Sequence, residues 1–185
     1  RYGTSTGVYL GTVTGVTSPY TLTGLTSGTT YYVSIRAKNA VGAGTQYDSN
    51  ELNALTSLGA PTGVAISATP GTANLTWSAV SGATNYRVYR GILTGIYSLL
   101  GTTATANYSD ATAANGTTYF YIVRAFNGTE SVNSSEVSIR PISSFTLTAA
   151  TPTSSTGANL TWGAATGAAT YDVLYGTATG VYSGS

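Results

Sequence analysis

The chain has 185 residues, enough for one large domain or two small ones at roughly 100 to 150 residues each. Only 7% of the residues are charged and the net charge is +1, so no field exists to attract nucleic acid or an anionic membrane. The sequence contains no Cys and no His, which excludes disulfides, thiolate chemistry, the commonest general base and the commonest transition-metal ligand.

The polar composition favours strands and turns. Thr and 15 Tyr favour strands, whereas Asn and 23 Gly favour turns, so the bias predicts an all-β fold. No stretch approaches the roughly 20 apolar residues that cross a bilayer, and we expect no membrane insertion in this segment. Little Lys with abundant Thr, Ser and Tyr favours an extracellular or cell-surface location.

The first recognisable element is the phrase YGTSTGVY at residues 2–9. Its pattern, Gly, three residues, Gly, Val or Ile, then Tyr, recurs at residues 91–97 and 176–182. No Lys and no helix follow the glycines, so the phrase does not fit a phosphate-binding loop. We interpret each copy as the turn of a β-hairpin.

Longer segments repeat with a similar spacing. The sequence at residues 28–39 returns 88 residues later, and that at 75–91 returns 85 residues later. The chain therefore holds slightly more than two copies of one unit of about 85 to 88 residues.

Within one unit the pattern is of short strands. Val64, Ile66, Leu75 and Trp77 alternate with small or polar residues on either side of a Pro-Gly turn at 70–71. About seven such strands, with turn signals every 8 to 12 residues, predict an antiparallel seven-stranded β-sandwich. The predicted core consists of Trp77, Tyr86, Val88, Tyr119 and Val123.

The motifs at 75–77, 86–89 and 116–125, with their partners at 25–31 and 35–39, resemble the fibronectin type III family. They are similar to the immunoglobulin-like modules found in secreted microbial enzymes and surface proteins. The resemblance implies fold-defining core positions and, at two tyrosines, a tyrosine corner whose hydroxyl bonds to nearby backbone. The corner positions are Tyr31 and Tyr119, and the other fold-defining residues are Trp77, Trp162, Tyr86 and Tyr171.

Laying the repeat on the chain predicts the domains. Residues 1–56 are the C-terminal part of one fibronectin type III-like domain, 59–141 a complete domain, and 142–185 the N-terminal part of a further one. The ends therefore fall inside domains. The chain is then either a window of a longer array, which we favour, or a subunit that exchanges strands with its neighbours. The short joints predict restrained domains.

No constellation of side chains predicts catalysis, a cofactor or a metal site. The carboxylates do not form a repeated close pair, and Ser and Thr lack a base to activate them. Asp110 precedes a turn, where we expect its carboxylate to bind backbone amides. Asp48 and Glu51 lie near the final strand of the first fragment, where we expect solvated or edge-protecting charges.

Two surface features remain. Asn-x-Ser/Thr sequons suggest possible glycosylation at Asn74, Asn107, Asn115, Asn127, Asn133 and Asn159. Tyrosines outside the predicted core could stack on sugars, although filling gaps between sheets or domains is the simpler explanation. They include Tyr9, Tyr89, Tyr97 and Tyr182.

Three functions suit these features. The first is a non-catalytic structural module of an extracellular tandem-repeat surface protein, which builds a stalk, fibre or filament. The second is a spacer or accessory module of a secreted carbohydrate-active enzyme, and the third is a glycan-binding adhesive module. The expected partners are copies of the chain itself or neighbouring repeats, and for the third function glycans.

Overall fold

The computed structural model describes residues 1–38 and 47–182. Asn39, the last residue of the repeated segment at 28–39, lies outside the described residues. The described part contains strands and no helix, so no helix there is long and apolar enough to cross a membrane. The strands are β1 (Tyr2–Gly3), β2 (Thr30–Val33), β3 (Arg36–Ala37), β4 (Tyr47–Asp48), β5 (Leu52–Leu55), β6 (Ala65–Thr69), β7 (Thr72–Thr76), β8 (Asn85–Leu93), β9 (Ile96–Thr103), β10 (Asn107–Asp110), β11 (Tyr119–Phe126), β12 (Val137–Ile139), β13 (Leu147–Ser154) and β14 (Gly157–Trp162).

Strands β6 to β12 form two antiparallel sheets. One has the order β10-β7-β6 and the other the order β12-β11-β8-β9. The first is in register with Leu75 opposite both Ile66 and Tyr108, and the second has Val123 opposite Val88. The predicted all-β sandwich with seven strands in one repeat is therefore confirmed.

The core lies between these two sheets because the strands alternate in burial. On β7, Ala73 and Leu75 are fully buried, while Asn74 between them points to the other face. On β11, Tyr121 and Val123 are likewise fully buried. Trp77 closes one end of the core, with its ring 5.3 Å from that of Tyr86 and nearly perpendicular to it.

The other strands form smaller sheets. Residues before 56 contain β1-β2-β5 and β3-β4, and residues after 146 contain β13-β14. Among the described residues, no strand pairing joins two of the three ranges that the repeat predicts as separate domains. Those domain limits stay a prediction.

Candidate functional site

The glycine motif at 91–97 forms the tip of the hairpin β8–β9, in which Leu93 pairs with Ile96. The earlier and later copies close the same turn with a single bridge, Ser5 to Val8 and Ala178 to Val181. The second glycine of each copy has a positive φ in open space, which favours glycine over any L side chain. A Cβ on the first glycine would overlap the backbone carbonyl five residues later. The first glycines are Gly3, Gly91 and Gly176, and the second are Gly7, Gly95 and Gly180.

A glutamate holds the hairpin tip in the first two copies. Glu51 accepts hydrogen bonds from the Gly7 amide at 2.9 Å and from the Tyr9 hydroxyl at 2.5 Å. In the second copy Glu136 accepts from the Tyr97 hydroxyl, and the Thr94 hydroxyl donates to it at 2.8 Å. The hydrogen bond from tyrosine lowers the pKa of each glutamate. These tyrosines are therefore engaged in holding a turn.

Glu130 forms the centre of a charged cluster on the outer face of β8 and β11. Arg87 and Arg124 donate to its two carboxylate oxygens at 2.7 and 2.6 Å, and the Tyr89 hydroxyl donates at 2.5 Å. The hydrogen bond from Tyr89, joined by the two guanidinium groups, lowers the pKa of Glu130 to about 2. Arg124 also stacks over the Tyr89 ring at 4.7 Å. The Glu130 carboxylate is therefore ionised at neutral pH, and both of its oxygens accept hydrogen bonds.

Asp110 lies inside the sandwich with only 2% of its surface exposed. The Thr112 amide donates to it at 2.9 Å, as predicted for a turn carboxylate, and the Arg90 guanidinium and Tyr121 hydroxyl donate at 2.7 and 2.8 Å. Burial alone would raise the pKa of Asp110, but these hydrogen bonds outweigh it and lower the pKa. Burial and the bond to Asp110 raise the pKa of Tyr121. Asp110 and Tyr121 thus form a buried crosslink, which the partly exposed Arg90 and the exposed Thr112 complete from outside.

Asp48 is exposed, as expected for a solvated charge, and it is also paired with two arginines. Arg36 donates to both its oxygens, at 2.7 and 2.9 Å, and Arg1 donates at 2.6 Å. The hydrogen bond from Arg36 lowers the pKa of Asp48. In the described ranges 1–38 and 47–182, no group of three or more His, Cys, Asp or Glu could hold a metal ion.

A cavity of about 270 Å³ lies against Leu160, Trp162 and Tyr171. These residues follow Leu75, Trp77 and Tyr86 of the sandwich core by 85 positions. The ring spacing is also retained, with Trp162 5.5 Å from Tyr171. The lining is thus a core face of the repeat, and its shape gives no sign of a built ligand site.

Three of the fold-defining residues belong to the sandwich core, and the other three lie in the flanking repeats. Trp77, Tyr86 and Tyr119 are buried, whereas Tyr31, Trp162 and Tyr171 are half-buried. At the two corner positions a backbone amide five residues earlier donates to the tyrosine hydroxyl, at 3.1 Å for Tyr31 and 3.3 Å for Tyr119.

The sequon asparagines differ in their accessibility. Asn107, Asn133 and Asn159 are exposed, whereas the other three are half-buried. The side chain of Asn74 accepts from Ser109, and that of Asn115 accepts from the Gly71 amide, both at 2.8 Å. Glycosylation at any of the six stays a prediction.

The sequence interpretation missed the carboxylate partners. Tyr9 recurs as Tyr97 and Glu51 recurs as Glu136, each at the repeat spacing. That shared recurrence was the available signal, because two residues that repeat together can be tested as a contacting pair. No such signal exists for Glu130, whose two arginines lie 43 and 6 residues away in the chain.

The chain is similar to known proteins over about half of its length. No family model matches the chain. A 95-residue part, 50% of this chain, is 42% identical to a poly(3-hydroxybutyrate) depolymerase from Ralstonia pickettii, and it spans 18% of that protein. An Fn3-like protein from Clostridium thermocellum is 40% identical, with 44% of this chain and 90% of that chain covered at a TM-score of 0.41. A beta-1,2-glucanase from Parabacteroides distasonis is 21% identical, with coverages of 53% and 16% and a TM-score of 0.43.

Three features of the chain itself agree on its architecture: the repeated motifs, the three- and four-stranded sheets, and the tyrosine corner at Tyr119. Seven strands of one repeat enclose one core in the described residues. Residues 65–139 form a fibronectin type III-like β-sandwich.

Proposed function

We propose that the chain is a non-catalytic accessory module of an extracellular polymer-degrading enzyme, in which it spaces and orients the working domains. The observation that carries the proposal is the engagement of its carboxylates. Each of the five that form hydrogen bonds does so with arginine, tyrosine, threonine or backbone groups that hold the fold together. These are Asp48, Glu51, Asp110, Glu130 and Glu136.

General acid–base chemistry needs a titratable group that can reach a substrate with a pKa near the working pH. Hydrogen bonds displace the pKa values of these five carboxylates in the opposite direction, because they lower them. Catalysis would therefore reside in another part of such an enzyme.

The 42% identity to a depolymerase favours the accessory-module hypothesis over a stalk or filament of a surface protein. It also widens the substrate class beyond carbohydrates, because that relative is named for a polyester. A glycan-binding role has less support, since the hydroxyls of Tyr9, Tyr89 and Tyr97 are bound to glutamates.

A segment exchange in the Ralstonia pickettii depolymerase tests the proposal. In one chimera the matching residues are replaced by those of this chain, and in a control they are replaced by a flexible Gly/Ser linker of equal length. We expect the first chimera to keep activity on solid poly(3-hydroxybutyrate). The linker control should lose that activity but keep hydrolysis of a soluble short ester.

Equal activity of the two chimeras on the solid polymer would contradict a spacing role. Hydrolysis of the soluble ester by the isolated 185-residue chain would contradict the non-catalytic assignment.

A further inference from the structure

In the part of the chain that the structure describes, a pair of glycines brings consecutive repeats into contact, and this contact occurs twice. Gly28, in the turn before β2, lies against Gly82, in the turn before β8. In the next repeat Gly116 lies against Gly167 in the same way. Gly116 follows Gly28 by 88 residues and Gly167 follows Gly82 by 85, so the same contact is built twice. We name residues 27–29 and 115–117 the exit turns, and residues 81–83 and 166–168 the entry turns.

The approach of the two backbones leaves no room for a side chain. A Cβ on Gly82 would lie 2.8 Å from the Gly28 Cα, and one on Gly167 would lie 2.9 Å from the Gly116 Cα. The obstacle in each case is backbone, which cannot swing aside as a flexible side chain can. All four glycines also have a positive φ, between 62° and 93°.

Each exit turn is tied to the segment that leads into the next repeat. The Gly28 amide donates to the Ser57 carbonyl at 3.2 Å, and the Gly116 amide donates to the Pro141 carbonyl at 2.8 Å. Leu58 follows Ser57 and is a buried member of the sandwich core. Its Cδ2 lies 2.6 Å from the point where a Gly28 Cβ would stand. Leu58, in the segment that connects the two repeats, therefore packs against both the exit turn and the sandwich core.

Each entry turn is fixed by a core tyrosine of its own repeat. The Val80 amide donates to the Tyr86 hydroxyl at 2.8 Å, and the Ala165 amide donates to the Tyr171 hydroxyl at 2.6 Å. A backbone hydrogen bond between residues three apart also closes each turn, from the Ala83 amide to the Val80 carbonyl at 3.2 Å and from the Ala168 amide to the Ala165 carbonyl at 3.1 Å. The exit turn and the entry turn of each contact are thus each fixed by hydrogen bonds of their own.

We propose that the exit and entry turns are a docking pair whose partner is the neighbouring repeat, and that the pair holds consecutive sandwiches in one relative orientation. The array then behaves as a stiff rod with a constant step instead of beads on a flexible string. The inference depends only on the two contacts, so it stands or fails separately from the proposed enzyme role.

Distance measurement between two spin labels tests the proposal. The chain contains no Cys, so the substitutions Asn53→Cys and Ser67→Cys place labels at exposed positions on opposite sides of the first contact. We expect one narrow distance in the otherwise unchanged chain. The variant Gly82→Ala should lose the narrow distance and give a broad distribution.

Gly71→Ala is the matched control, because Gly71 has a φ of 74° against 80° for Gly82 but has open space around its Cβ position. It carries the same backbone strain without a clash, and it should keep the narrow distance. A broad distribution in the unchanged chain, or equal distributions in the two variants, would overturn the proposal.

A variant on the other side of the contact covers the case in which Gly82→Ala unfolds the sandwich. Gly28→Ala lies outside β6 to β12 and should broaden the same distance, while the fluorescence of buried Trp77, read in a Trp162→Phe background, stays native. Labels at Ser138→Cys and Thr151→Cys report the second contact. Gly167→Ala should broaden that distance alone, and an unchanged distance there would refute the equivalence of the two contacts.

Discussion

The substitution Tyr121→Phe isolates the role of the buried carboxylate. The Tyr121 ring is fully buried, and its hydroxyl donates to Asp110 at 2.8 Å. Phenylalanine fills the same space, so no cavity forms and only the hydrogen bond is lost. A hydrogen bond to a charged group contributes about 1.5 to 3 kcal/mol, so the unfolding free energy should fall by that amount. The Tm should fall by on the order of 10 °C.

Urea denaturation followed by the fluorescence of Trp77, in a Trp162→Phe background so that one tryptophan reports, measures this loss, because the Trp77 ring is 6% exposed in the folded sandwich. Tyr119→Phe is the graded control. The Tyr119 hydroxyl accepts a hydrogen bond from the neutral Ala114 amide at 3.3 Å. Because Ala114 is exposed, water can replace that hydroxyl, so the loss of unfolding free energy should stay below about 1 kcal/mol.

The difference between Tyr121→Phe and the unchanged chain should depend on pH. Because the folded pKa of Asp110 is lowered, the ionised carboxylate contributes its full stability above about pH 4 and loses it as the pH falls through the folded value. The difference should be largest at pH 7 and narrow in acid. A loss under about 0.5 kcal/mol, or one no larger than that of Tyr119→Phe, would refute this reasoning.

Three further substitutions test other contacts. Tyr97→Phe should speed hydrogen exchange of the Gly95 amide, since that amide donates to the Tyr97 hydroxyl at 3.0 Å and the hydroxyl in turn donates to Glu136; an unchanged exchange rate would contradict the role of Tyr97 in holding the hairpin tip. Glu130→Gln should flatten the loss of stability between pH 5 and pH 2, because the lowered pKa of Glu130, about 2, makes the ionised form stabilising above that range. An unfolding curve with the same acid dependence as the parent would contradict this. Leu75→Ala should cost about 2 to 5 kcal/mol in urea denaturation, because the side chain is fully buried, and a cost below about 1 kcal/mol would place Leu75 outside the core.

Local patterns predicted much of the fold. The alternation around Leu75 and Trp77 predicted paired strands with one buried face, and the repeated glycine motif predicted hairpins. Both follow from residues close together in sequence, where a period of two or a positive φ leaves a direct mark.

Contacts between distant segments could not be obtained in that way. The bond from Tyr9 to Glu51 spans 42 residues, and Gly28 meets Gly82 across the boundary of two repeats. Their partners depend on how sheets and repeats are placed in space, which the local pattern of a strand or turn does not encode; for Tyr9 and Glu51 the recurrence of both residues at the repeat spacing was the one available signal. The hydrogen bonds of Asp48 and Glu51 were not predicted for the same reason, because their partners are distant in the sequence.

The accessory role is tested most directly by one ratio in the depolymerase exchange, the rate on solid poly(3-hydroxybutyrate) divided by the rate on a soluble ester. The account predicts that this ratio is maintained with the segment from this chain and falls with a flexible linker of equal length. A ratio that is the same for both inserts would contradict it.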